Sequence, residues 1–336
     1  MRSWLPYELH THTFHSDGEH SLQELAASAK DIGLRGIAMT DHNTMSPLLD
    51  RQAVEKSTGL HIVQGMEWTT FFGHMLVMGI TRYVDWRDLG IDEIHKGIER
   101  VHEQGGIVGI AHPFRAGSPL CTGCYWEYEI ADWHDIDYIE VWSYTLPSML
   151  TSNQRAFRMW TDLLNQGYRI TGVCGRDWHS SAVKPSDPVA VTYLQLEPEE
   201  ASGTVQDRQV VEAIAKGTVS VTMGPLLLLG LASQGNGSTY GIGDEVPAPH
   251  AQSAWEATVK LDMSERSEHW QLTDTDMTVV LVGNLGRIAE LAVVSSSLTV
   301  SCPIQTEGLS WLRAELHGGI AHCRTMIAFT NPIYFQ

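Results

Sequence analysis

Between Trp4 and Trp178 the sequence alternates short apolar runs with segments of helical period, and most of the runs are followed within three residues by His, Asp or Glu. The runs are Leu5–His10, Gly36–Thr40, His61–Gly65, Met75–Ile80, Ile107–Ala111, Tyr138–Trp142 and Ile170–Cys174. Amphipathic segments at Leu22–Ile32, Asp92–Gln104 and Gln154–Asn165 separate several of them. The first has a Ser21–Glu24 capping pair at its start and Gly33 at its stop. Strands alternating with helices call for a parallel sheet, open or closed into a barrel. Such sheets gather their functional groups at the carboxyl ends of the strands.

The polar residues at those ends form a set. His10 and His12 close the first run as H-x-H, and residues two apart in a strand project to one face, so both imidazoles can reach one ion. Asp17 follows in HSDG, Asp41 and His42 in TDHN, and Glu67 in GMEW. His74 opens the fourth run, His112 ends the fifth, and Asp177 and His179 follow the last as D-x-H. A single His at a strand end is ordinary. Recurrence after strand upon strand is not, and mixed imidazole and carboxylate ligands suit Zn, Mn or Fe without any thiolate. Of sixteen histidines, twelve lie at or before His179, so the chemistry belongs to the first part of the chain.

Beyond about Val205 the pattern changes. DRQVVEAIAKG reads as one more helix, and then short β-like runs (ATVKLDM, MTVVLVG, LAVVSSS, TMIAFTN) follow one another with turn-formers between them. Short strands without helices read as a small β-sandwich. A length of 336 residues allows two cores, and the expected division is 1–222 and 223–336. With 40 acidic against 22 basic residues the formal charge is −18, which disfavours a nucleic-acid duplex as partner and leaves a small anionic substrate held on cations. No run is long enough to span a bilayer, and MRSWLPYELHTHT has neither the apolar stretch nor the cleavage site of a signal peptide; a cytoplasmic protein is expected. Five cysteines do not make a disulfide framework, and Cys121 and Cys124 read as two thiols in a loop. Nothing in the sequence fixes an oligomeric state.

Taken together, ELHTHTFHSDG, TDHN, GMEW, AHP and GRDWH resemble, in order, the motifs of the polymerase and histidinol phosphatase (PHP) family of metal-dependent hydrolases. The resemblance implies an α/β fold, a distorted (β/α)7 barrel with two to three divalent ions at the ends of its strands. It implies that His10, His12 and Asp177 hold a first metal, that Glu67 bridges to a second completed by His74 and His112, and that Asp17, His42 and His179 hold a third. His15 is the rival of Asp17 for the third metal. The second part, with WLRAELHG and AFTNPIYFQ, resembles the β-sandwich of the carbaryl-hydrolase-like branch.

The expected chemistry is hydrolysis of a small phosphomonoester or phosphodiester by a hydroxide bridging the two ions that share Glu67. The alternative is hydrolysis of a carbamate, amide or ester on the same cluster. Asp41 is expected to accept a proton from a ligand imidazole. His15, Arg115 and Arg176 adjoin ligands and are candidates to assist the leaving group or clamp an anion. Glu140, a charged residue inside an apolar run, is expected in the interior beside the ligands.

Overall fold

The structure is a computed structural model that describes residues 2–117, 123–182, 188–197, 205–234, 237–247, 254–294 and 297–336. The first part runs β1 (Ser3–Thr11), α1 (Leu22–Asp31), β2 (Gly36–Met39), α2 (Arg51–Thr58), β3 (His61–Thr70), β4 (Gly73–Met78), α3 (Ile94–His102), β5 (Ile107–Ala111), β6 (Tyr138–Ser143), α4 (Thr151–Asn165), β7 (Thr171–Gly175), β8 (Val191–Leu196), α5 (Asp207–Lys216) and β9 (Val219–Thr222). All seven apolar runs are strands. Helix α1 starts as read, with Ser21 and Glu24 capping each other and Gly33 left-handed just past its end. Helix α2 had no clear sequence signal: its apolar content is low, and it buries only Val54.

The expectation of a parallel sheet holds in part. β1, β2 and β3 pair in parallel, as do β5, β6 and β7, but β4 is antiparallel to both β3 and β5. The physical reason is the short β3–β4 connection, Phe71 and Phe72, which can only form a hairpin; parallel neighbours need a long crossover. Nor does the ladder close. β7 meets β1 only past its end, where Trp178 N–H donates to His10 O and His12 N–H to Trp178 O, both at 3.0 Å. The outer side of β1 is taken instead by β8, antiparallel, followed by β9. The architecture is therefore a mixed α/β sheet with few helices, and its ladder stays open where a (β/α)7 barrel was expected.

The second part is all β: β10 (Leu226–Ser233), β11 (Thr239–Gly241), β12 (Glu245–Val246), β13 (Trp255–Asp262), β14 (Met277–Gly283), β15 (Gly286–Val293), β16 (Thr299–Ile304), β17 (Trp311–Ile320), β18 (Cys323–Thr330) and β19 (Ile333–Phe335). One sheet has the order β11–β10–β13–β16. The other strands continue the large sheet through β18, which pairs with β9. Along β13 burial alternates residue by residue, the sign of a strand with one face on a core. The joint is aromatic, with Phe329 of β18 4.9–5.4 Å from the rings of Trp142, Phe157 and Trp160. No helix among the described residues is long and apolar enough to cross a membrane.

Candidate metal centre

The strand ends converge on Glu67. β3 delivers it fully buried, and its two oxygens face different histidines. Oε1 lies 3.0 Å from His74 Nδ1 and 3.4 Å from His112 Nε2. Oε2 lies 2.7 Å from His42 Nδ1, 3.4 Å from His10 Nε2 and 3.5 Å from His12 Nε2. Asp177 approaches the same two nitrogens of β1, with Oδ1 3.3 Å from His10 Nε2 and 3.1 Å from His12 Nε2. Asp17, more than half exposed, brings His42 and His179 together at 3.3 and 3.1 Å. Three groups thus have ligand atoms close enough to share an ion: His12, Asp17, His42 and His179; His10, His12 and Glu67; Glu67, His74 and His112.

These groups fit divalent ions on a ground independent of sequence. Among the described residues, nine buried side-chain polar atoms lack a hydrogen-bond partner, and seven of them are His10 Nε2, both nitrogens of His12, Glu67 Oε2, His74 Nε2, His112 Nδ1 and Glu140 Oε1. A buried polar atom without a partner costs ~1–3 kcal/mol, so a cluster of them is tolerable only if something coordinates it. Electrostatics agree. Burial opposes charge on His10, yet Asp177, Glu67 and Glu140 outweigh it and hold the imidazole's pKa well above the usual value. Burial, with His10 beside it, takes His12 down to about 4, leaving a neutral ring with two free nitrogens. Burial would raise the carboxyls of Glu67 and Asp177, but the facing histidines hold both well below the carboxylate range.

The supports are as specific as the ligands. Glu140 Oε2 meets His10 Nδ1 at 2.7 Å, which fixes the ring so that Nε2 faces the cluster. Gly175 makes room for this pair: a Cβ there would lie 2.6 Å from both His10 Cβ and Glu140 Oε2. Gly18 does the same for the loop after β1, where a Cβ would lie 2.6 Å from the His12 carbonyl. Asp41 departs from expectation: it accepts from Thr13 N–H (2.9 Å), Thr13 Oγ1 (2.8 Å) and Ser16, not from an imidazole. It shapes the loop that presents Asp17. His20 is buried, and its Nε2 lies 2.8 Å from His12 O.

The non-ligand candidates separate. Arg115 pairs with Asp177 Oδ2, stacks 4.3 Å over the Tyr144 ring and is one-third exposed, facing the cluster's outer side. His15 belongs to none of the three groups; its Nδ1 is 2.7 Å from Ser46 Oγ. Arg176 is a correction. Its guanidinium lies 4.2 Å over the Trp178 ring and lines a different cavity, because the residue before Asp177 projects to the opposite side of the chain. Cys124 is buried and disulfide-bonded, so it is not the free thiol expected; Cys121 lies outside the described residues.

With this geometry in view, likeness to known proteins becomes informative, and residues 8–105 match the model of the PHP domain. That stretch of the chain resembles the PHP domain. The matched stretch of the PHP domain holds His10, His12, Asp17, His42, Glu67 and His74, while His112, Asp177 and His179 lie beyond it. An uncharacterized protein of Methanocaldococcus jannaschii is 29% identical over 125 residues, 34% of this chain and 69% of that protein. The DNA polymerase III subunit alpha of Campylobacter jejuni is 41% identical over 61 residues, 18% of this chain but only 5% of the subunit. Among solved structures, a two-domain protein of Bacteroides vulgatus containing a predicted PHP-like metal-dependent phosphoesterase shares the fold, with a TM-score of 0.53 at 13% identity over 99% of this chain and 96% of that one.

One functional candidate at this site left no mark in the sequence. Tyr144 O–H donates to Asp177 Oδ2 at 3.2 Å from a left-handed backbone (φ 65°), and no periodicity announces that turn. His112 (φ 27°) and Asp177 (φ 56°) share this backbone region. Non-glycine residues there cost ~1–3 kcal/mol each and persist where surrounding structure imposes them, typically at functional sites.

Proposed function

We propose that the protein is a metal-dependent phosphoesterase acting on a small phosphomonoester or phosphodiester. The observation that carries this reading is Glu67, whose two oxygens face separate groups of histidines, His74 and His112 on one side and His10, His12 and His42 on the other, with unpartnered nitrogens around them. On this reading His10, His12 and Asp177 would hold one ion and His74 and His112 a second, with Glu67 available to both. Asp17, His42 and His179 hold a third. Divalent ions such as Zn, Mn or Fe supply Lewis-acid activation of water and of the substrate's oxygens. The chain supplies the rest. Glu140 orients His10, and Arg115 and Tyr144 occupy Asp177 Oδ2 so that Oδ1 turns to the histidines. Arg115, partly exposed beside the cluster, is the chain's own donor for a non-bridging phosphate oxygen. The β strands from residue 223 onward form a second domain that completes the aromatic joint with β6 and α4.

A second reading keeps the cluster and changes the bond to a carbamate, amide or ester, favoured by the likeness of WLRAELHG and AFTNPIYFQ to the carbaryl-hydrolase-like branch. The test is kcat/KM of wild type and Asp17→Ala on bis(p-nitrophenyl) phosphate, p-nitrophenyl acetate and an aryl carbamate, with metal content measured alongside. A phosphoesterase should lose phosphate activity selectively, by about 100-fold or more, since a cation at developing charge is worth several kcal/mol. Carbamate turnover without phosphate turnover would overturn the phosphoesterase reading and leave the hydrolase.

A further inference from the structure

The departure of Arg176 from the metal centre leads to a second site. A cavity of about 960 Å³ lies where the C-terminal end of α1, the segment before β8, the loop after β13 and the β17–β18 turn meet. Its walls include Arg176, Arg266, Trp270 and His322. We propose that this cavity binds a small phosphate-type oxyanion carrying an apolar group, with the oxyanion on Arg176 and Arg266 and the apolar group against Trp270.

Three observations carry the proposal. The first is charge. In a chain of net charge −18, both arginines are half-buried, and among the described residues neither forms an ion pair with a carboxylate. Glu8 is buried next to this segment and is engaged by the backbone N–H groups of His10 and Arg176. Asp31 and Glu268 also line the cavity, both exposed and neither in an ion pair with Arg176 or Arg266 among the described residues. Half-buried guanidiniums without carboxylates are what a fork-shaped donor set for a tetrahedral anion requires.

The second observation is backbone strain. Among the described non-glycine residues with positive φ, Asn43, His112, Tyr144 and Asp177 lie in or beside the metal centre, while Arg266 (φ 49°), Ala321 (φ 48°) and His322 (φ 62°) line this cavity. The β17–β18 hairpin needs two left-handed residues, a demand usually met by Asn-Gly, yet Ala321-His322 meets it here and places an imidazole at the cavity. Strain of this kind collects at ligand sites. The third observation is position. Arg176 is held by Glu8 on one side and continues directly into Asp177, so the segment that gives a carboxylate to the metal centre gives a cation to the cavity.

The site is separable from the metal centre by titration calorimetry on the full chain stripped of metal, with inorganic phosphate and phenyl phosphate as probes. Wild type should bind both saturably. Arg176→Met and Arg266→Met should each weaken both probes at least tenfold, and Trp270→Ala should weaken phenyl phosphate while leaving inorganic phosphate within twofold. Arg266 Nε also donates to Ile32 O at 2.9 Å, so if Arg266→Met melts early, Arg176→Met decides. Absence of saturable binding to wild type overturns the proposal. So does binding that survives Arg176→Met but is lost in His12→Ala, which would place the anion on the metal centre.

Discussion

The molecule has two interiors that bury charge in opposite ways. Around Glu67, buried imidazoles and carboxylates stand 3 Å or a little more apart with nitrogens and oxygens left over. In the C-terminal strands, Arg313 is equally buried but fully engaged, with Nε and Nη2 on Glu315 Oε1 at 3.0 and 2.8 Å and Nη1 on Thr161 Oγ1 at 3.0 Å. Its guanidinium also stacks 4.5–5.2 Å from the rings of Phe157, Trp160 and Trp311. None of the buried unpartnered atoms among the described residues lies beyond Tyr193. Satisfaction, not burial, tells a structural charge from one kept for a ligand.

The sharpest way to break this comparison is at Glu67. Glu67→Gln keeps the shape and removes the charge shared by two groups of histidines. Turnover should fall ~10³-fold or more, in line with loss of a principal electrostatic group, and metal content should drop. The metal-stripped variant should melt close to the stripped wild type. Near-native turnover with full metal content would show that Glu67 does not bridge. The counterpart is Arg313→Met, which strands Glu315 in the core. Leaving one member of a buried pair costs ~3–5 kcal/mol, so chemical denaturation should show a loss of that size with metal content unchanged. A loss below 1 kcal/mol would mean that water reaches Glu315 and that this interior is not dry.

Support should be less costly to remove than a ligand. Glu140→Gln leaves a weaker partner for His10 Nδ1, and metal affinity should fall ~10–100-fold, the usual range for a group that orients a ligand imidazole. Competition with a chromogenic chelator would measure it. Unchanged affinity would mean that packing alone holds the ring.

The sequence made this difference partly legible. The ligands could be read because most lie at or just past the end of an apolar run, and strand geometry turns a one-dimensional pattern into a shared end of a sheet. Glu140 could be read as well, a lone carboxylate between Ile139 and Val141. The antiparallel β4 could not, because its two-residue turn, Phe71-Phe72, lacks the Asn-Gly signature of a hairpin. Arg176 was misplaced for a related reason. Adjacency to Asp177 says nothing about direction when the backbone turns left-handed at that residue. Tyr144 and the role of Asp41 depend on loop conformation and lay beyond any periodicity.

The smallest effect sharpens the comparison from within the first part of the chain. Asp207, at the start of α5, receives Arg51 Nη2 at 2.6 Å and Nη1 at 2.9 Å, lies 3.0 Å from His61 Nε2, and accepts from Gln64 N–H and Nε2 at 3.2 Å. It is a satisfied charge in the half of the molecule that also holds the unsatisfied cluster. Burial would raise its carboxyl, but the bonds from His61 and Arg51 outweigh that and hold it well below the usual range. A carboxylate depressed in the fold lends stability above its unfolded value of about 4 and loses it as acid protonates it. Asp207→Asn should therefore cost ~1–2 kcal/mol at neutral pH, the worth of a charged hydrogen-bond set partly replaced by an amide. The gap between wild type and variant should narrow as pH falls below about 5, where the unfolded chain begins to take up the proton first. Urea melts of both proteins across that range supply the measurement. A gap that stays constant with pH would mean that Asp207 contributes through packing alone, and that satisfied charge in this half of the molecule is no more electrostatic than its apolar neighbours.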